Sequence, residues 1–457
     1  MKRRSIVVGG AAVGVGAVVW PVAAQRVPGA PGGPGGSALP ALPRTVEPSY
    51  FGMHFHRLVR RPDERMPAAV WPARAVGTLR LWDSDTRWGD IAPRAGEWNF
   101  ERMDAYVNIA TAQSASILYT LGSPPRWASA RPDEPGPYGP GSAAEARNIA
   151  HWGEYVRRVV ERYRGRISAY ELWNEPNFSD IDRDRGAPGF YTGDVATMVQ
   201  MATLARQVID TVDPAAQLLT PGFTNGTDRL GLFLRSGGAA LVDAVAYHFY
   251  ARDCAQFDRQ VTEVRGVMRQ HGVGGSPLWN TECGVETDPP DAPVPAGKAA
   301  RTTEESAADT LAQQLLLGAA RGLARFCYYA WDNGHTGLVD ASGAARPRQA
   351  AWRGIEAWLT GARITACERL GGDGWLVRSE AGGQQHWFAW HGAPAPQAVN
   401  LPTGWRPVGI DTLGSALGSG VPSAASSAPS YPRWFKPGRT LALPPSPQPV
   451  RITLERT

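Results

Sequence analysis

Eight short apolar runs, each followed by a longer stretch, constrain this chain more than any other feature. They are 50–56 (YFGMHFH), 77–83 (GTLRLWD), 116–122 (SILYTLG), 167–174 (ISAYELWN), 217–223 (QLLTPGF), 243–250 (DAVAYHFY), 277–283 (PLWNTEC) and 325–332 (RFCYYAWD). Between them lie amphipathic stretches such as 148–164, 194–212 and 303–322, the last opening on the cap cluster Thr302-Thr303-Glu304-Glu305. Apolar runs that alternate with helical patterns imply parallel strands covered by helices. Eight such units over roughly 310 residues predict an α/β fold, a (β/α)8 TIM barrel, rather than an open doubly wound sheet. No run leads into GxGxxG or a P-loop, so nucleotide binding is not expected.

The flanks read differently. Residues 1–24 have the form of an export signal: Lys2, Arg3 and Arg4, an apolar stretch from Ile6 to Trp20, then Val22-Ala23-Ala24 before a cut at Gln25. The Arg3-Arg4 pair suits the twin-arginine route, and a periplasmic or secreted protein without a stable membrane anchor is expected. Residues 25–48 form a Pro/Gly-rich linker, 49–361 the barrel, and 362–457 a β-sandwich of short strands separated by Gly, Pro and Asp turns.

Charge and cysteine content exclude other classes. The formal charge is +5, and without Lys2, Arg3 and Arg4 it falls to 44 basic against 42 acidic residues, which is no field for nucleic acid. Four cysteines without a CxxC pair exclude a zinc ribbon. Cys254 and Cys283 are read as two buried thiols in preference to a disulfide. The 17 tryptophans outnumber the 12 phenylalanines and 13 tyrosines, and flat faces with one N–H suit either a dense core or stacking on sugar rings.

In a barrel of this kind the reacting side chains come from the C-terminal strand ends. The fourth run ends Leu172-Trp173-Asn174-Glu175-Pro176-Asn177 and the seventh ends Leu278-Trp279-Asn280-Thr281-Glu282-Cys283, one glutamate each at the mouth. Two facing carboxylates, one protonated and one ionised, are what retaining glycoside hydrolysis needs, at a separation of about 5–5.5 Å. Asn174 is a neutral amide that can bind a hydroxyl without lowering the acid's pKa. Glu286 falls beyond the strand, in the loop.

Glu171 shares parity with Glu175 but lies about 13 Å deeper, so it is expected to pair with Arg80, which also serves Glu282. His54 and His56 share one face of the first strand. No third metal ligand is evident, and one of the two is expected to bond a sugar hydroxyl. His248 is read as a hydrogen-bonded inner histidine that moves no proton. Trp127 and Trp331 sit where stacking platforms belong, with Trp88, Phe178 and Tyr191 as further mouth aromatics. Ser123 lacks a GxSxG elbow, against esterase chemistry.

The WNEP run with a lone glutamate ending the seventh strand resembles clan A of the glycoside hydrolases. LRLWD followed by Trp88, the Gly122/Pro125/Trp127 pattern and the trailing β-domain are most similar to family 39, particularly its members acting on bacterial exopolysaccharides. The resemblance implies Glu175 as acid/base, Glu282 as nucleophile, Asn174 touching the substrate 2-hydroxyl, Tyr250 donating to the nucleophile and Trp331 as a floor tryptophan. It implies a β-linked or otherwise equatorial polysaccharide or oligosaccharide substrate and no cofactor. A monomer acting in mid-chain on an exopolysaccharide is expected, since the loops at 123–146, 176–193 and 284–301 are rich in Pro, Gly and Asp and carry few large apolar residues to seal a lid. The alternatives are an exo-acting β-xylosidase-like enzyme, a transglycosylase and a non-catalytic polysaccharide-binding protein.

Overall fold

The computed structural model describes residues 41–413 and 440–457, apart from 62, 65, 67, 73–75, 183–188, 288–301 and 444. The export signal and most of the linker therefore lie outside the described residues. No helix among the described residues is long and apolar enough to cross a membrane.

Eight parallel strands form one sheet: β2 (Phe51–Met53), β3 (Thr78–Leu81), β4 (Ser116–Thr120), β5 (Ala169–Glu171), β6 (Gln217–Leu219), β7 (Val245–His248), β8 (Leu278–Cys283) and β9 (Leu323–Tyr328). Their order is β6-β5-β4-β3-β2-β9-β8-β7, and parallel bridges Leu219–Ala244 and Phe223–Tyr247 close β6 onto β7. The sheet is thus a barrel, with one strand in each of the eight apolar runs. Helices α3 (Ile149–Arg162), α4 (Val195–Val212), α6 (Cys254–Gln270) and α7 (Glu304–Ala320) start where Asn148, Asp194, Asp253 and Thr303 accept a backbone N–H of the first turn. The first connection departs from the expected unit, with no helix in its described residues. Prolines at 62, 67 and 72 remove the donors a helix there would need.

The C-terminal region is a β-sandwich. Strands β10 (Arg363–Arg369), β11 (Trp375–Ala381), β12 (Gln384–His391), β14 (Trp405–Asp411) and β16 (Ser446–Arg456) form an antiparallel sheet, and β13 (Gln397–Asn400) pairs β15 (Thr440–Leu443) in a second. β1 (Arg44–Thr45), from the end of the expected linker, adds to the edge of the larger sheet beside β10. The period-two rule sorts its faces. Leu376, Trp387 and Ala389 pack on Val399, Leu441 and Leu443 of the small sheet, while Trp375, Val377, Phe388 and Trp390 join the barrel's core, with Phe388 stacked on Trp358 of α8 (Pro347–Leu359).

Inside the barrel a dry layer of Leu118, Ala169, Leu219, Ala244, Ala246 and Trp279 fills the lower part. The polar side chains above it make the floor of the mouth.

Candidate active site

Arg80 stands in the middle of β3, fully buried, and organises the floor. Its Nε donates to Glu171 Oε2 at 2.8 Å, its Nη1 to Glu282 Oε2 at 2.7 Å and its Nη2 to Asn174 Oδ1 at 2.8 Å. Thr120 Oγ1 adds a donor to Glu171 at 2.7 Å. Burial opposes the Glu171 charge, but Arg80 prevails and holds its pKa at about 2. The expected Glu171–Arg80 pair forms, and Arg80 serves Glu282 as well. The Asn174 Oδ1 is taken by the arginine.

Glu171 is closer to the site than its sequence position suggests. β5 ends at Glu171, and the chain beyond bends so that Glu175 adopts a left-handed φ of 40° while its N–H donates to Gly222 O at 2.9 Å. Both glutamates then reach one histidine: His248 Nδ1 donates to Glu175 Oε1 at 2.8 Å, and its Nε2 lies 3.9 Å from Glu171 Oε1. The bend replaces the 13 Å climb of a regular strand. A non-glycine residue held at such a φ costs about 1–3 kcal/mol, and such strain gathers at functional sites. Gly222 permits the convergence, because a Cβ there would lie 2.4 Å from His248 Nε2 and 2.7 Å from Glu171 Oε1.

Glu282 is the penultimate residue of β8, where the register slips between Asn280 and Cys283. Tyr250 Oη donates to its Oε1 at 2.8 Å, as the clan resemblance implies. One oxygen each of Glu175 and Glu282 and one ring nitrogen of His248 lie within 4.8 Å of one another. The nearest oxygens of the two carboxylates are therefore no more than 4.8 Å apart. Burial raises the Glu282 pKa, against His248, Arg80 and the Tyr250 hydroxyl, which pull it down. Burial also lowers the His248 pKa, but Glu282, Glu171 and Glu175 outweigh it and lift the ring to about 9. His248 is therefore a cation at neutral pH, an anchor for the two mouth glutamates. The chain turns outward after β8, and Glu286 is exposed.

Other expectations need correction. His54 is fully buried, with Nε2 donating to Thr281 O at 3.1 Å and a pKa pushed well down by burial and by Arg80. It braces β8 from below, and His56 is the histidine that lines the open cleft. Trp127 does not join the glutamates: its indole N–H donates to Ala92 O and its ring meets Trp88 and His151 edge-on. Trp88, Phe178 and Tyr191 are fully buried core residues. Trp331 is buried against Phe55, and the aromatic at the floor is Tyr329, two residues earlier, whose ring contacts both His54 and His56. The packing that fixes which of two nearby aromatics turns inward is tertiary. All four cysteines are free thiols.

The sequence reading missed Asp83, Tyr138 and Tyr329. Asp83 directly follows Leu81-Trp82 at the end of β3, a charged residue at a barrel strand's C-terminal end, and that position was the available signal. Tyr138 lies in a long loop and carried none.

Neither a protein-family model nor a curated protein matches the chain. Solved structures do. A family 39 glycoside hydrolase from Bacteroides cellulosilyticus WH2 superimposes with a TM-score of 0.60 at 16% identity, over 90% of this chain and 82% of its own. A family 39 β-xylosidase from Caulobacter crescentus gives 0.59 at 16% identity, over 91% and 98%. The catalytic domain of a family 30 xylanase C from Talaromyces cellulolyticus gives 0.55 at 14% identity, over 91% and 98%. At these identities the likeness is one of fold, and across nine-tenths of its length the chain is built as these glycoside hydrolases are.

Proposed function

We propose that the protein is a retaining O-glycoside hydrolase working by double displacement. The observation that carries this is the convergence of Glu175, His248 and Glu282 from three strands within 4.8 Å. Glu282, oriented by Arg80 and Tyr250, attacks the anomeric carbon. Glu175 protonates the leaving oxygen and then takes a proton from the water that frees the sugar. Asn174 binds the 2-hydroxyl. The residues supply all the groups the reaction requires, without a cofactor.

The substrate is a β-linked polysaccharide, a bacterial exopolysaccharide cut in mid-chain by an exported monomer. The leader at 1–24 and the lid-poor mouth loops support that reading, although 183–188 and 288–301 of those loops lie outside the described residues. The likeness to a β-xylosidase favours a second reading, an exo-acting xylosidase. Product analysis on a panel of exopolysaccharides and xylans separates them: early loss of viscosity marks mid-chain cleavage, and monosaccharide alone marks the exo reading.

The mechanism is tested with Glu282→Gln, expected to abolish turnover of every aryl glycoside, and with azide, expected to rescue Glu175→Ala as a glycosyl azide of retained configuration. Azide rescue of Glu282→Ala with retention would reverse the two roles, and an inverted first product would exclude double displacement.

A further inference from the structure

A cleft of about 470 Å³ opens beside the glutamate pair, within the size range of ligand sites. Its walls come from several mouth loops: His56, Arg57 and Arg61 after β2, Asp83, Asp85 and Arg87 after β3, Tyr138 after β4, and Tyr329 after β9. It adjoins the reacting centre, since the Tyr329 ring packs on His54, whose Nε2 lies 3.4 Å from Arg80 Nη1, the donor to Glu282.

The charges in the cleft are not equally committed. Of the carboxylates lining it besides Asp83, Asp85 accepts two hydrogen bonds from Arg61, and Glu64 accepts the Met66 N–H at 3.5 Å. Beside the cleft, Asp90 accepts two from Arg87, and Asp332 accepts the backbone N–H groups of His56 and Arg57 with the Arg57 guanidinium 3.7 Å away. Among the described residues Asp83 has no cation within hydrogen-bonding reach, and Arg87 Nη1 stands 3.9 Å away. Its two oxygens accept instead from neutral hydroxyls, Tyr138 Oη at 2.5 Å and Tyr329 Oη at 2.7 Å. A carboxylate has about four acceptor positions, so two remain, and the side chain is still 24% exposed. His56 Nε2, on the same wall, has no partner among the described residues.

We propose that Asp83 binds sugar in a subsite next to the reacting one, its free acceptor positions taking two neighbouring hydroxyls of a neutral sugar unit. A neutral ligand is preferred over an amino sugar because Arg87, 3.9 Å from the carboxylate, repels an ammonium group. It is preferred over a uronic acid because Asp83 itself repels a carboxylate. The inference rests on the hydrolase reading and adds to it that the enzyme reads at least two consecutive sugars, the second uncharged.

The test compares aryl monosaccharides with the matching aryl disaccharides over a panel of β-linked neutral sugars. The readout is the ratio of kcat/KM for disaccharide to monosaccharide. In Asp83→Ala that ratio is expected to fall at least ten-fold, mainly through KM on the disaccharide. Asp83→Asn, which keeps one acceptor for a tyrosine, carries the same measurement if the alanine variant unfolds, with a smaller fall expected. An unchanged ratio in a folded variant overturns the inference and leaves the hydrolase reading intact. A ten-fold preference of the wild type for a distal amino sugar or uronic acid overturns the neutral assignment. A wild type that turns over no member of the panel sinks the hydrolase reading, and this inference with it.

Discussion

Two layers inside the same barrel obey different rules. Leu118, Ala169 and Ala246 belong to the lower layer, and Thr120, Glu171 and His248, each two residues further along the same strand, belong to the upper. Two residues along a strand is about 6.6 Å. Over that distance the interior passes from dry hydrocarbon to a packed set of charges. The lower layer is specified by volume, so its members are exchangeable at the cost of a cavity. The upper layer is specified pair by pair, because each buried charge depends on a particular partner.

The largest expected effect comes from breaking the upper layer at its hub. Arg80→Met leaves Glu171 buried without a cation and should cost about 3–5 kcal/mol of stability, as well as nearly all turnover. Adding Glu171→Gln should recover much of the stability and little of the activity. Denaturant melts of the single and double variants check this, and a stable single variant would refute the pairwise account.

Trp279→Ala, in the lower layer, is expected to cost about 3 kcal/mol by leaving a cavity, while the catalytic pair keeps most of its rate. Equal losses of stability and of kcat would show that the layers are not separable.

The His248 charge sets a pH window. Its folded pKa of about 9 lies above the ordinary 6.5, so the stabilisation is complete below about pH 6.5 and is lost as the pH rises through 9. The full span is of order 3 kcal/mol. Urea midpoints between pH 6.5 and 10 should decline in the wild type and flatten in His248→Asn; a parallel decline in both would assign the effect elsewhere.

Tyr250→Phe removes one donor to Glu282 and should lower kcat roughly 10- to 100-fold, through a charged hydrogen bond of about 1.5–3 kcal/mol, with little change in melting temperature. The smallest effect is expected from Trp127→Ala. Its ring packs on Trp88 and His151, so kcat/KM should stay within two-fold on short and long substrates; a selective loss on long chains would restore it as a stacking platform.

The two layers were not equally legible. The run of apolar residues at each strand reveals that a barrel exists and which segments line it, since burying both faces of a parallel strand demands that composition. The two mouth glutamates were legible because each stands at or just beyond the C-terminal end of a barrel strand. The Arg80–Glu171 pair was legible because a buried carboxylate requires a cation. The depth of Glu171 was not, because the estimate assumed a regular strand where the chain bends into the left-handed conformation at Glu175. The aromatics misled for a related reason. Trp127, Phe178, Tyr191 and Trp331 sit in or beside loops, and a loop's sequence does not say which rings it buries.

The sequence by itself determined the (β/α)8 architecture, the β-sandwich after it and which two glutamates stand at the ends of the strands flanking the mouth, because period, capping residues and strand-end position are local properties of the chain. Tertiary structure alone decided that His248 is the cation joining Glu171 to Glu175, that Tyr329 takes the floor in place of Trp331, and that Asp83 is met by hydroxyls from two distant loops. Each of these depends on which side chains from remote segments come within about 3–4 Å of one another. Electrostatic and hydrogen-bond energies change steeply at that range, and residue spacing along the chain does not encode it.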